Sequence, residues 1–145
     1  MGLGYAMSGC ALGCTELGCD YGVHITMKGA ATKFSSLLPF VIKSCSDEGS
    51  CNSVTISQTG GVFACDQGST PGFVNCKVTP AGDVDYDLAF NQIPKDDVAA
   101  ITVNLRDSAY TTVFNGTASA ELADIEANGP GCGVTCQRGQ VLFVP

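Results

Sequence analysis

Apolar and polar residues alternate strictly in three stretches of this chain, and that period restricts its fold more than any other feature. Tyr21, Val23, Ile25 and Met27 alternate with Gly22, His24, Thr26 and Lys28. Val84, Tyr86, Leu88 and Phe90 alternate with Asp83, Asp85, Asp87 and Ala89, and Ala99, Ile101, Val103 and Leu105 with Ala100, Thr102, Asn104 and Arg106. A period of two puts every apolar side chain on one face of an extended strand. Further strand candidates are Pro39–Ser44, Ser53–Gln58, Gly61–Cys65, Phe73–Val78, Ala109–Asn115, Thr117–Ala123 and Gln140–Val144. The turn signals "SDEGS", "TGG", "DQGSTPG", "TPAGD", "IPKDD", "RDSA", "NGT" and "NGPG" separate them at intervals of about ten residues. Only Ala118–Ala127 reads as a short helix. About nine strands at this spacing predict an antiparallel β-sandwich built as a single domain.

Charged residues make up only 14% of the 145 residues, against about 25% in a typical domain. The polar surface must therefore come from Ser, Thr, Asn, Gln and Gly. The net charge is −7, and the 7 basic residues are scattered singly. Without a basic patch, nucleic acid and anionic membrane surfaces are excluded as partners. No apolar run reaches the roughly 18 residues of a membrane-spanning helix.

The nine cysteines point to an oxidising compartment and a disulfide-stapled fold. Cys45 and Cys51 flank one loop, Cys65 and Cys76 another, and local pairing of each is the simplest expectation. Cys14 and Cys19 precede the first strand, and Cys132 and Cys136 precede the last. In immunoglobulin-like sandwiches the first and last strands often run parallel side by side, which would bring these clusters together. Chain entropy favours such long-range bridges. A loop of about five residues gives about 2 kcal/mol and one of over a hundred nearly 5 kcal/mol. Eight cysteines still allow 105 connectivities. Cys10 is then left over, for lipidation or an intermolecular bridge. "MSGC" before it resembles the end of a bacterial lipoprotein signal, although a positive n-region is lacking and Met1–Ala6 is too short for an h-region. Residues 1–19 are thus an apolar Cys-rich segment serving as docked tail, lipid anchor or assembly contact. Residues 20–145 are the β-sandwich domain.

Chemistry has few candidates. The cysteine spacings fit neither zinc sites nor a Cys-x-x-Cys redox motif. His24 is the single histidine and falls on the polar face of its strand, with no nucleophile signature in the chain. Asp83, Asp85 and Asp87 form an acidic, solvent-facing stripe that either stays solvated or holds calcium weakly. Asn115-Gly116-Thr117 is a glycosylation sequon, and its Asn-Gly also reads as a hairpin turn.

The residues from Val98 to Val144, with Asn128, Gly129, Pro130, Cys132 and Cys136 in the order NGPxCxxxC and with the early Cys14 and Cys19, resemble a group of small bacterial secreted proteins and lipoproteins. The resemblance covers about the last third of the chain and the first strand. It implies an all-β, antiparallel immunoglobulin-like β-sandwich in the envelope or outside the cell, and no activity. The expected function is a non-enzymatic structural or binding role, in its sharper form as a self-assembling subunit of a fibre or coat. The alternative is a secreted lipoprotein module that binds calcium or a small ligand. The expected partner is the chain itself or another envelope protein, with membrane contact only through a lipid anchor.

Overall fold

In the computed structural model of the chain, residues 21–67, 75–126 and 135–145 are described. The expectations for residues 1–19, including Cys10, Cys14 and Cys19, and for Cys132 lie outside these residues. Among the described residues ten strands form, against the expectation of about nine: β1 (Gly22–Met27), β2 (Phe40–Ser46), β3 (Cys51–Thr59), β4 (Val62–Asp66), β5 (Lys77–Val78), β6 (Val84–Ala89), β7 (Val98–Arg106), β8 (Thr112–Glu121), β9 (Ala123–Glu126) and β10 (Thr135–Phe143). One helical turn, α1 (Ala30–Lys33), and a 3-10 turn (Ser35–Leu37) link β1 to β2.

The strands make two five-stranded sheets, ordered β5-β6-β1-β10-β9 and β4-β3-β2-β7-β8. All described pairings are antiparallel except one: β1 runs parallel to β10, from Gly22 beside Arg138 to Met27 beside Phe143. First and last strands are therefore neighbours, as expected. β1 is not an edge, however, because β6 covers its other side.

The alternation explains the core. Val23, Ile25 and Met27 of β1 meet Val84, Tyr86 and Leu88 of β6 in one sheet, and Phe40 and Ile42 of β2 meet Val54, Ile56, Ile101, Val103 and Leu105 in the other. All are buried in one cluster shared by both sheets. Burying each such side chain contributes about 1.5–3 kcal/mol. Two polar links cross this core. The Ser44 hydroxyl pairs with the Tyr86 hydroxyl, and Asn52 Nδ2 donates to the Asp87 carbonyl at 2.9 Å. Burial holds the Tyr86 phenol well above its ordinary pKa, opposed by the hydrogen bond from Ser44.

Both open flanks between the sheets are tied. On one, β8 of the second sheet continues into β9 of the first with only Leu122 between them. Leu122 turns inward, buried, and its N–H donates to the Asp97 carbonyl at 2.7 Å. β10 passes so close to this corner that a Cβ on Gly139 would stand 2.5 Å from the Glu121 carbonyl oxygen. On the other flank, Cys65 of edge strand β4 is bonded to Cys76, the residue before edge strand β5. Cys45 and Cys51 face each other across β2 and β3 and are also bonded. Both local pairings follow the loop-spanning expectation. Cys136 is buried and disulfide-bonded, and its partner lies outside the described residues.

Some expectations fail. Asn115-Gly116 is no turn: it lies inside β8, opposite Asn104 and Val103, and the reversal occurs earlier, at Asp107–Thr111. Ala118–Ala127 is not helical through Glu126, because β8 and β9 use that stretch to pass between sheets. The strand expected over Phe73–Val78 is described only as Lys77–Val78. Val141 and Phe143 face inward, but Leu142 and Val144 are exposed, so the final strand is covered on one face only.

Two outcomes follow for stability. Replacing Cys65 and Cys76 by serine together costs about 3 kcal/mol and replacing Cys45 and Cys51 about 2 kcal/mol, read by urea unfolding, because the longer loop constrains the unfolded chain more. Tyr86→Phe leaves the buried Ser44 hydroxyl unpaired and costs about 1–3 kcal/mol. A phenol with a raised folded pKa stabilises fully below its unfolded pKa, so wild-type stability falls above about pH 10, where the unfolded chain loses that proton. The alkaline decline is shallower in Tyr86→Phe.

Candidate functional site

The outer face of the first sheet gathers most of the polar side chains singled out in the sequence. Alternation sends His24 and Thr26 of β1 outward, and the register sets His24 opposite Asp87 and Thr26 opposite Asp85 on β6. His24 Nδ1 lies 2.9 Å from Asp87 Oδ1 and His24 Nε2 lies 3.2 Å from Asp85 Oδ1. Thr26 Oγ1 donates to Asp85 Oδ1 at 2.6 Å. From the other side of β1, where Gly22 pairs with Arg138 of β10, Arg138 Nη2 reaches Asp87 Oδ1 at 3.5 Å. A side chain on Gly22 would strike the Leu88 carbonyl oxygen at 2.5 Å, so the glycine lets the strands approach closely beside this cluster.

The acidic stripe is thus not the solvated row the alternation suggested. Asp87 is buried, at 7% exposure, and faces His24 Nδ1 at 2.9 Å and the Arg138 guanidinium at 3.5 Å. Asp85 is held by His24 and Thr26. Asp83 Oδ1 accepts the N–H of Gly29, the residue before α1, at 2.7 Å. β6 is not an edge strand, since β5 and β1 flank it. The carboxylates therefore serve neighbouring strands rather than discouraging a foreign one. Among the described residues, no group of three or more His, Cys, Asp or Glu side chains is placed to hold a metal ion.

His24 could act as an acid or base only if one nitrogen faced a reacting group. Here both ring nitrogens face carboxylates, an arrangement that holds the ring between two strands. A shallow groove of about 550 Å³ runs beside it, lined by Arg138 and Gln140 of β10, Ala123 of β9, and Ser119 and Glu121 of β8. The groove mixes opposite charges with small side chains.

Comparison with protein-family models, with curated proteins and with solved structures finds no match to the chain.

A second concave region lies at the end of the domain where β7 begins. It is a cavity of about 280 Å³ with apolar walls from Phe90, Ile93, Pro94 and Val98 and a rim of Asp47, Glu48, Lys95 and Asp96. Ile93 and Val98 are exposed. Glu48 Oε1 accepts from the hydroxyls of Ser46 and Ser50, while its Oε2 is buried without a hydrogen-bond partner. Sequence reasoning missed this region, although "NQIPKDDV" held the signal: two large apolar residues in a charged turn.

The polar cluster contributes to stability in an uneven way. Asp87→Ala removes the more buried carboxylate, which faces both His24 and the Arg138 guanidinium, and costs about 1–3 kcal/mol, whereas Asp85→Ala, which leaves His24 its contact with Asp87 and frees only the Thr26 hydroxyl, costs under about 1 kcal/mol. Thermal denaturation of the two variants reads the difference. Millimolar calcium leaves the melting temperature of the native chain unchanged. A rise would mean that the cation displaces His24 from the stripe, because a ligand of the native state must stabilise it.

Proposed function

We propose that the chain is a non-enzymatic, immunoglobulin-like β-sandwich of the cell envelope or extracellular space, acting as a structural subunit that associates with copies of itself. The observation behind this reading is where its large exposed apolar side chains stand. Ile93 and Val98 lie at the end of the domain where β7 begins. Tyr110 and Val144 lie at the other, beyond the ends of β7 and β10, with Leu142 near the end of β10, while Val62 and Ile125 are exposed on the edge strands β4 and β9. A monomer of such low charge gains nothing from apolar groups gathered at both ends, whereas a subunit packed end to end buries them.

The immunoglobulin-like part of the reading is supported by strand order. Variable-type domains arrange strands A-B-E-D in one sheet and C″-C′-C-F-G in the other. β1 to β8 reproduce B, C, C′, C″, D, E, F and G with the same antiparallel neighbours. The place of strand A, beside B, is filled by β10 running parallel. The two described disulfides support an oxidising location.

Two measurements test the proposal. Sedimentation of the purified, oxidised chain at increasing concentration shows a rising mean mass; a single monomer species at high micromolar concentration removes self-association. Mass spectrometry of the native protein finds Cys10 without an acyl group. An acyl mass there supports the alternative, a tethered lipoprotein module, and rules out assembly through an unmodified N-terminal segment.

A further inference from the structure

Resting on that reading, we infer that copies of this chain join head to tail, with Tyr110 of one inserted into the cavity lined by Phe90, Ile93, Pro94 and Val98 of the next. The two features lie at opposite ends of β7, a nine-residue strand that spans roughly 27 Å at about 3.3 Å per residue. Val98 opens the strand beside the cavity, and Arg106 closes it just before the turn that bears Tyr110.

Tyr110 is built as a knob. It is 80% exposed, the most exposed large apolar side chain described. Its φ of 63° lies in the left-handed region, which an aromatic residue keeps only where the surroundings fix it. Asp107 does the fixing. Its Oδ1 accepts the N–H groups of Ala109 and Thr111, both at 2.9 Å. Its backbone closes the turn twice more, accepting from Tyr110 N–H at 3.0 Å and donating to the Thr111 carbonyl at 3.0 Å. With the backbone fixed, docking orders only the two side-chain torsions of the ring.

The cavity is built as the socket. At about 280 Å³ it falls just below the range of drug-sized pockets and suits a single large side chain. Its lining mixes the apolar side chains of Phe90, Ile93, Pro94 and Val98 with Gln92 and a mainly acidic rim. Asp47, Glu48 and Asp96 line it against the one Lys95. Asp97 and Glu121 lie beside it, through the Leu122–Asp97 hydrogen bond and the pairing of Glu121 with Val98. At the knob end Arg106, whose Nε donates to Asn104 Oδ1 at 2.7 Å, precedes the turn, and the Asp107 carboxylate is folded back onto the turn. An aromatic anchor that follows a cationic residue thus meets a partly apolar socket flanked mainly by carboxylates. Because knob and socket are different surfaces, the contact is heterologous, and repetition gives a ring or an open filament rather than a closed dimer.

The experiment is sedimentation equilibrium of the full oxidised chain and two variants over micromolar to millimolar concentration. Tyr110→Asn removes the ring and keeps a residue that tolerates positive φ. Ile93→Arg fills the socket and repels the incoming Arg106. Both positions are exposed, so Ile93→Arg should keep the wild-type melting temperature and Tyr110→Asn should match or exceed it, because asparagine tolerates the positive φ; both are measured alongside. Wild type associates, and each variant associates about thirtyfold more weakly or worse, as loss of an interface anchor does. An equal mixture of the two variants recovers wild-type affinity for a single contact and stops at dimers, since one supplies the socket and the other the knob. Self-association of Tyr110→Asn as tight as that of wild type, or a mixture no tighter than either variant alone, overturns the knob-and-socket contact while leaving self-association standing. A wild type that remains monomeric overturns both.

Discussion

The pairing of β1 with β10 is the interaction on which the rest of the structure depends. β1 holds two of the four neighbour contacts in its sheet, antiparallel to β6 and parallel to β10. Without β10, the first sheet would end at β1, whose Val23, Ile25 and Met27 form the centre of the shared core. β9 would have no partner, and the passage from β8 through Leu122 would lead nowhere. The same pairing places Arg138 within reach of Asp87, so the polar cluster around His24 is also a consequence of it. A parallel contact between the two ends of a chain closes the longest loop available. It therefore ties all the intervening strands into one cooperative unit at a large entropic cost in folding.

How much of this was legible in the sequence depended on how strongly each segment alternated. β1, β6 and β7 follow directly from their alternating residues, because one buried and one solvated face leave a single register. The loop-spanning disulfides were legible for a similar local reason: each pair brackets one turn. Asn115-Gly116 misled because a turn dipeptide is a local preference, and here pairing with Asn104 and Val103 along a continuous strand overrides it. Ala118–Ala127 misled because alanine at alternate positions fits a helix and a strand face equally well, and only the tertiary corner at Leu122 decides. α1, at four residues, is shorter than any helical period can reveal.

The candidate sites show the same limit. The sequence put His24, Asp85 and Asp87 on polar faces, but which strands were neighbours was a matter of topology. Once β1 and β6 are paired, an apparently solvated stripe becomes a set of hydrogen-bonded ties, with Asp87 buried under His24 and Arg138. That change moves attention from the acidic stripe to the ends of the domain. There, Ile93, Val98, Tyr110 and Val144 remain exposed.

The central claim is that the last strand is an integral, parallel neighbour of the first, and amide hydrogen exchange tests it most directly. If β10 is integral, the paired amides of β1 and of β10 from Gln137 to Phe143 exchange only through global unfolding, with the same opening free energy and the same denaturant dependence. If the amides of β10 exchange orders of magnitude faster than those of β1, the strand is a loosely attached tail, and the account is contradicted at its foundation.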